Sequence, residues 1–359
     1  MMDIPGIKRI LITGGCGFIG SALVRHLMHS TACHVLNIDK LTYAANPEAV
    51  KDAVDSARYQ HAVADICDRS KIKTLISRFQ PDAILHLAAE SHVDRSISSP
   101  SVFMQTNIIG TYSMLEEALA YWQELPESRQ SRFKFIHIST DEVFGDLETG
   151  DSAFDESSPY LPSSPYSASK ASSDHLARAW HRTYRLPVIV TNCSNNYGPY
   201  QHHEKLIPHM TMCALKEQPL PIYGNGKNIR DWLFVDDHVD ALTSVLRDGV
   251  AGETYCIGGN NELTNLELVN TLCAELDILR PRVKGRYIDL LEFVEDRAGH
   301  DKRYAINSQK ITSQLGWRPS HNLQQGLSKT LQWLLSSYPQ STTNPCDANK
   351  ITAISGEAQ

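Results

Sequence analysis

Two short groupings in this sequence have the residue types and spacing to do chemistry together. Tyr166 and Lys170 stand four apart in a run, Ser164 to Ala179, that reads as helix, so their side chains share one face. A cation beside a phenol stabilises the phenolate and lowers a pKa that is otherwise about 10, which would let Tyr166 remove a hydroxyl proton near neutral pH. Thr140, Asp141 and Glu142 follow the apolar run Phe133 to Ile138. Two adjacent carboxyls offer an acid and a base, provided their surroundings separate their pKa values. From residue types alone each grouping also fits something plainer: a surface aromatic with an i,i+4 lysine, or a solvated carboxyl pair capping the next segment.

A third grouping is built to bind rather than react. Gly14, Gly17 and Gly20 follow the strand-like run Arg9 to Thr13 and open a helical one. Glycines so placed permit a tight turn, let backbone N–H groups approach a pyrophosphate and allow the helix to lie close on the sheet. Asp39 ends the second strand-like run. A carboxylate there accepts from a ribose 2′-hydroxyl and repels a 2′-phosphate, so the pattern predicts NAD rather than NADP. Asp65 and Ile66, after the third run, are candidate adenine neighbours, with a turn cap the alternative for Asp65.

Positioning these groups requires a parallel sheet. Candidate strands are Arg9 to Thr13, His34 to Ile38, Tyr59 to Val63, Ala83 to Leu87, Phe133 to Ile138 and Val188 to Asn192, alternating with helical stretches Gly17 to His29, Lys71 to Phe79, Ser101 to Tyr121 and Ser164 to Tyr184. That alternation predicts an α/β, doubly wound parallel sheet of the Rossmann type, in which strand carboxyl ends, and with them Thr140 to Glu142, face the ligand crevice. Beyond Asn192 the regularity breaks at Asn195 to Tyr200 and again at Tyr223 to Lys227. The expected division is residues 1–194 as the dinucleotide-binding domain with 231–258 returning to it, 195–335 as a smaller, interleaved C-terminal substrate lobe, and 336–359 as a polar tail that frays.

Composition narrows the function classes. The chain has 359 residues, 42% hydrophobic and 21% charged, with a formal net charge of −7, so no global positive field draws it to nucleic acid or an anionic membrane. No stretch has membrane-spanning length, and the start lacks the apolar core of a signal peptide. Eight cysteines are scattered without paired spacing, which predicts reduced thiols in a cytoplasmic enzyme; Cys16, Cys33, Cys67, Cys193 and Cys256 read as packing residues. The histidines show no metal-binding helix pattern, the pair His202 and His203 reads as loop surface, and no metal is expected.

Taken together, Thr13 to Ser21, Asp39 to Tyr43, His86 to Ser96, Ile138 to Gly145, Ser164 to His175, Asn192 to Tyr200, Arg230 to Val235 and Asp296 to Ile306 resemble the dTDP-glucose 4,6-dehydratase family of the extended short-chain dehydrogenases. Tyr-x-x-x-Lys is shared by that whole superfamily, whereas Thr140-Asp141-Glu142 and Leu87 to Ser96 point to the dehydratase branch. The resemblance implies that Thr140 hydrogen-bonds the sugar, Asp141 is the acid, Glu142 and Tyr166 are the bases, and Lys170 orients Tyr166 and the nicotinamide ribose. It implies NAD contacts at Phe18, Ile19, Asp39, Lys40, Leu41, Thr42, Asp65, Ile66, Leu87, Ala88, Ala89, Thr106 and Asn196. Substrate contacts are implied at Ser91, Asn195, Lys205, Leu206, Pro221, Ile222, Tyr223, Arg230, Asn265, Asp296, Arg297, His300 and Tyr304, and the assembly implied is a homodimer. Ala45 and Ala298 stand where the family has glycine and proline, Asn307 where aspartate is common, and His202-His203 where a Phe-Pro-like pair precedes Glu204-Lys205. The nearest rival is a sugar-nucleotide 4-epimerase, which needs no elimination pair; a non-catalytic NAD-binding regulator should have lost Tyr166 or Lys170.

Overall fold

The computed structural model describes residues 2–148, 150–296 and 301–337. Twelve strands are defined among them: β1 Arg9–Thr13, β2 His34–Asp39, β3 Tyr59–Val63, β4 Ala83–His86, β5 Lys134–Thr140, β6 Val188–Cys193, β7 Asn195–Tyr197, β8 Leu220–Tyr223, β9 Ile229–Phe234, β10 Thr254–Ile257, β11 Glu262–Thr264 and β12 Leu291–Val294. Seven form one parallel sheet in the order β10-β6-β5-β4-β1-β2-β3. This is the doubly wound Rossmann-type sheet that the alternating pattern predicts.

Successive residues of β1 show why these runs are apolar throughout. Ile10 and Ile12 enter a core with Leu23, Leu27, Leu242 and Leu246 from the helices Phe18–Ser30 and Val235–Asp248. Leu11, between them, enters the opposite core with Ile72, Ile76, Met114, Leu115 and Ala177 from the helices Arg69–Phe79, Thr111–Gln123 and Pro165–Tyr184. Side chains alternate across a strand, and helices cover both faces, so neither set of positions meets water. Strand order reverses between β1 and β4, and the crevice of such a sheet lies at the carboxyl ends of the strands flanking that point.

Several elements differ from the sequence reading. Asn195 to Tyr197, expected as irregular, is strand β7, parallel to β9. Asp231 to Phe234 lies in β9, within a three-stranded sheet β11-β9-β7, and does not join the seven-stranded sheet; β10 does, beside β6. The Asn-rich composition of β7 and the single step from Phe234 into the next helix hide these short strands, whose partners are distant in sequence. The helical stretch around Ser101 to Tyr121 is interrupted by a π-helical segment, Met104–Gly110. Among the residues after 192, Leu220, Ile222, Trp232, Phe234, Leu268 and Leu331 are buried together in a third core away from the large sheet. The helix Leu323–Ser337 extends into the polar tail, and 338–359 lie outside the described residues. No helix of the described residues is long and apolar enough to cross a membrane.

Candidate active site

The glycine turn after β1 is fixed by backbone contact. Gly14 has φ +73°, and a Cβ there would stand 2.8 Å from the Ala88 backbone; a Cβ on Gly20 would stand 2.1 Å from the Gly14 carbonyl oxygen. Only glycine allows that turn and that approach of helix to strand. The helix Phe18–Ser30 begins with neither a capping side chain nor an acidic residue in its first turn, which leaves its leading N–H groups for an anion. These features fit a dinucleotide pyrophosphate. Asp39 closes the floor of the crevice, accepting from Cys16 N and Leu41 N, both at 2.8 Å. Leu41 is held at φ +57°, a strained position for a branched residue, and Thr42 follows it on the surface. Lys40 Nζ pairs with Asp65 Oδ2 at 2.7 Å, so two of the residues expected to contact NAD meet directly, and Ile66, next in the chain, is buried.

On the other side of the crevice, Leu87, Ala88 and Ala89 leave β4 half-buried. Asn107, in the π-helical segment beside Thr106, accepts from Glu90 N at 2.8 Å and donates to Ser169 Oγ at 2.8 Å. The segment therefore ties the loop after β4 to the helix that bears Tyr166. Asn196 is more committed than the sequence suggests: Oδ1 meets His238 Nδ1 at 2.8 Å and Nδ2 donates to Ser194 O at 2.9 Å.

Thr140 ends β5 and its hydroxyl accepts from Glu142 N at 3.3 Å and donates to Asp141 Oδ1 at 3.2 Å. Asp141 is 1% exposed, and its Oδ2 has no partner among the described residues. Burial, then Glu142 and Asp231, push its carboxyl well above the usual carboxylate range, against a hydrogen bond from Thr140 and the charge of Arg230. Tyr166 is buried in the first turns of the helix Pro165–Tyr184, which starts with a Ser164–Ser167 capping box. Burial, with Glu142, Cys193 and Asp141 behind it, drives its phenol well up, and Thr140 opposes weakly. Thr140, Asp141 and Glu142 thus stand where the end of β5 packs against the helix that bears Tyr166. The expectation that Lys170 lowers the Tyr166 pKa is corrected. Lys170 Nζ donates to the Ile138 carbonyl at 2.8 Å, and burial, resisted by Asp174 and Cys193, lowers the ammonium's own pKa.

Beneath this space lies a buried polar network that spacing arguments miss. Asp174 accepts from Tyr160 Oη at 2.8 Å, Asn192 Nδ2 at 3.1 Å and His137 Nε2 at 3.1 Å. Asn192 Nδ2 also donates to Thr140 O at 3.0 Å, which anchors the end of β5. Burial works to raise the Asp174 pKa, but the His137 hydrogen bond and the charges of His137 and Lys170 outweigh it. The available signals are polar residues inside strand runs, His137 and Asn192, and an aspartate one turn beyond Lys170.

The second lobe contributes the facing wall. Arg230 is buried, donates to Ile229 O at 2.7 Å and Asp301 O at 2.9 Å, and lies 4.4 Å over the ring of Tyr304. Tyr304 Oη donates to Asp301 Oδ2, and burial, then the charge of Glu142, raise its pKa. Asn195, at the start of β7, has a buried Oδ1 with no hydrogen-bond partner among the described residues. Lys205 Nζ reaches Ser91 O at 3.3 Å, and Leu206 opens the helix Leu206–Leu215. Pro221, Ile222 and Tyr223 lie in β8 beside β12; Asn265 opens the helix Asn265–Leu279, and Asp296 approaches Gly224. Arg297, Ala298 and His300 lie outside the described residues.

A Rossmann-type sheet, a glycine turn closed by Asp39, and a buried Tyr-x-x-x-Lys helix beside the strand end define a protein of the short-chain dehydrogenase type. Residues 11–330 match the model of the GDP-mannose 4,6 dehydratase family. The dTDP-glucose 4,6-dehydratase of Neisseria gonorrhoeae is 56% identical over 94% of this chain and 98% of its own. That of Escherichia coli strain K12 is 54% identical over 92% and 93%. Among solved structures, the dTDP-glucose 4,6-dehydratase of Streptomyces venezuelae with NAD bound matches with a TM-score of 0.82 and 43% identity, over 91% of this chain and 96% of that one. The UDP-glucose 4-epimerase of Thermotoga maritima matches with a TM-score of 0.80 and 26% identity, over 92% and 99%. The chain belongs to the nucleotide-sugar 4,6-dehydratases, among the dTDP-glucose 4,6-dehydratase family.

Proposed function

We propose that this chain converts dTDP-glucose to dTDP-4-keto-6-deoxyglucose and water while retaining NAD. The observation that carries the reading is Thr140-Asp141-Glu142 at the carboxyl end of β5, packed against the helix whose first turn holds buried Tyr166. When bound, NAD supplies the acceptor and then the donor for the hydride that moves from C4 to C6, and a positively charged ring that favours phenolate.

Tyr166 takes the proton of the 4-hydroxyl as C4 is oxidised, with Thr140 hydrogen-bonded to the sugar. The 4-ketone acidifies C5–H, and Glu142 removes that proton, C5 regaining one when the hydride is delivered to C6. Asp141, kept protonated by its burial, gives its proton to the departing 6-hydroxyl, and water leaves. Lys170 holds the strand end through Ile138 and orients Tyr166 and the nicotinamide ribose. Gly14, Gly17, Phe18, Ile19 and Gly20 would hold the pyrophosphate, with the residues from Asp39 to Thr42, Asp65, Ile66, Leu87 to Ala89, Thr106 and Asn196 around the remainder. The lobe 195–335 would take the sugar nucleotide. Arg230 and Arg297 suit its diphosphate, because guanidinium forks bind phosphate oxygens in pairs.

The same reading has the enzyme act in the cytoplasm as a homodimer. Unpaired cysteines throughout the described residues support a reducing compartment. Exposed Ile97, Val102 and Ile109, along consecutive helical segments, support a second copy packing there. Incubating the purified protein with a panel of nucleoside-diphosphate glucoses and identifying products by mass tests the reading. Loss of one water from dTDP-glucose is expected; an isomer of unchanged mass would replace dehydration with epimerisation.

A further inference from the structure

We infer that the chain carries a zinc-type divalent cation site at the edge of the cleft, formed by His202, His203 and Glu204 ahead of the helix Leu206–Leu215 and by His92 before the helix Val93–Ser98. One donor atom each from His202, His203 and Glu204 lie within 4.8 Å of one another. Glu204 Oε2 is 3.3 Å from His92 Nε2 and 3.7 Å from His202 Nδ1. Tetrahedral zinc, with bonds of about 2.0–2.1 Å, sets its donors roughly 3.4 Å apart, so small rotations of partly exposed imidazoles complete the set. Imidazole with one carboxylate suits zinc among the first-row divalent ions.

The carboxylate is already oriented for this. Arg95 Nη2 donates to the other oxygen, Oε1, at 2.7 Å, and its guanidinium lies 3.7 Å over the ring of Tyr43. Tyr43 in turn meets His202 edge-on at 5.8 Å. Oε2 is thus turned towards the imidazoles by an outer layer of the kind that fixes metal ligands. Arg95 and nearby Lys205 lower the affinity for a cation, which makes the site a reversible one rather than a structural zinc centre. The sequence alone sets His202 and His203 down as loop surface, because a turn of adjacent residues has no helical ligand spacing and His92 is distant in the chain.

A cation here would tie the segment after Ser91 to the loop carrying Lys205 and Leu206. Its binding stands independently of the proposed reaction; its expected effect, reversible inhibition by zinc, rests on that reading. The test titrates cobalt(II) into the purified full chain and follows visible absorption, then displaces it with zinc. A tetrahedral spectrum saturating at one cation per chain is expected, weakened by more than about tenfold in H202F/H203P and also reduced in H203Q. With dTDP-glucose, zinc should inhibit the wild type and a chelator restore it, whereas H202F/H203P should turn over equally with and without zinc. No tetrahedral spectrum, or an equal one in H202F/H203P, overturns the site. A retained spectrum in a chain that does not dehydrate dTDP-glucose would instead count against the proposed reaction and leave the site standing.

Discussion

Asp141 and Glu142 are adjacent in the chain yet occupy different surroundings. Asp141 is sealed with one oxygen that has no partner among the described residues, while Glu142 keeps partial exposure. Two carboxyls with an acid and a base role need that separation. It also has a stability consequence. The folded-state pKa of Asp141 is raised, so its favourable contribution is complete below the unfolded value, about 3.9, and is lost as pH rises through the folded value. At neutral pH the wild type carries a penalty that D141N lacks. Thermal melts should show D141N more stable at neutral pH by about 1–3 kcal/mol, with the gain vanishing as pH falls towards about 4. An equal gain at every pH would contradict the buried, penalised carboxyl. Spacing makes Tyr166, Lys170 and the carboxyl pair legible as candidates. It does not give the direction of the Tyr166 shift, because burial and the nearness of Glu142, Cys193 and Asp141 enter only once distant segments meet.

The helix Pro165–Tyr184 serves as the main beam of the site. One face carries Tyr166, Lys170 and Asp174, and the buried carboxylate of Asp174 gathers hydrogen bonds from β5, β6 and Tyr160. Removing one member of a buried charged network leaves the others uncompensated, so D174A should cost about 3–5 kcal/mol in chemical unfolding, and D174N less, since it keeps an acceptor for Tyr160. A cost near zero would mean the network is no more than incidental. The long elements were readable from apolar runs and glycine or proline punctuation. Strands β7 and β9, the π-helical segment and the Asp174 network were not, since each owes its form to partners far along the chain rather than to its own periodicity.

At the scale of the molecule, the shared fold does not separate dehydratase from epimerase, for the T. maritima epimerase superposes nearly as well as the S. venezuelae dehydratase. On the proposed reading, what separates them is the pair Asp141-Glu142, a device for elimination beside a device for oxidation. Oxidation at C4 needs only the phenol and the cofactor, so E142Q should still perform it and then stall. The most direct measurement is rapid-quench mass spectrometry of wild type and E142Q with dTDP-glucose deuterated at C4. The wild type should deliver the label to C6 of the same sugar, while E142Q should accumulate the 4-keto-glucose nucleotide with its 6-hydroxyl intact. Dehydration by E142Q at the wild-type rate, or loss of the C4 label to solvent, would contradict the account.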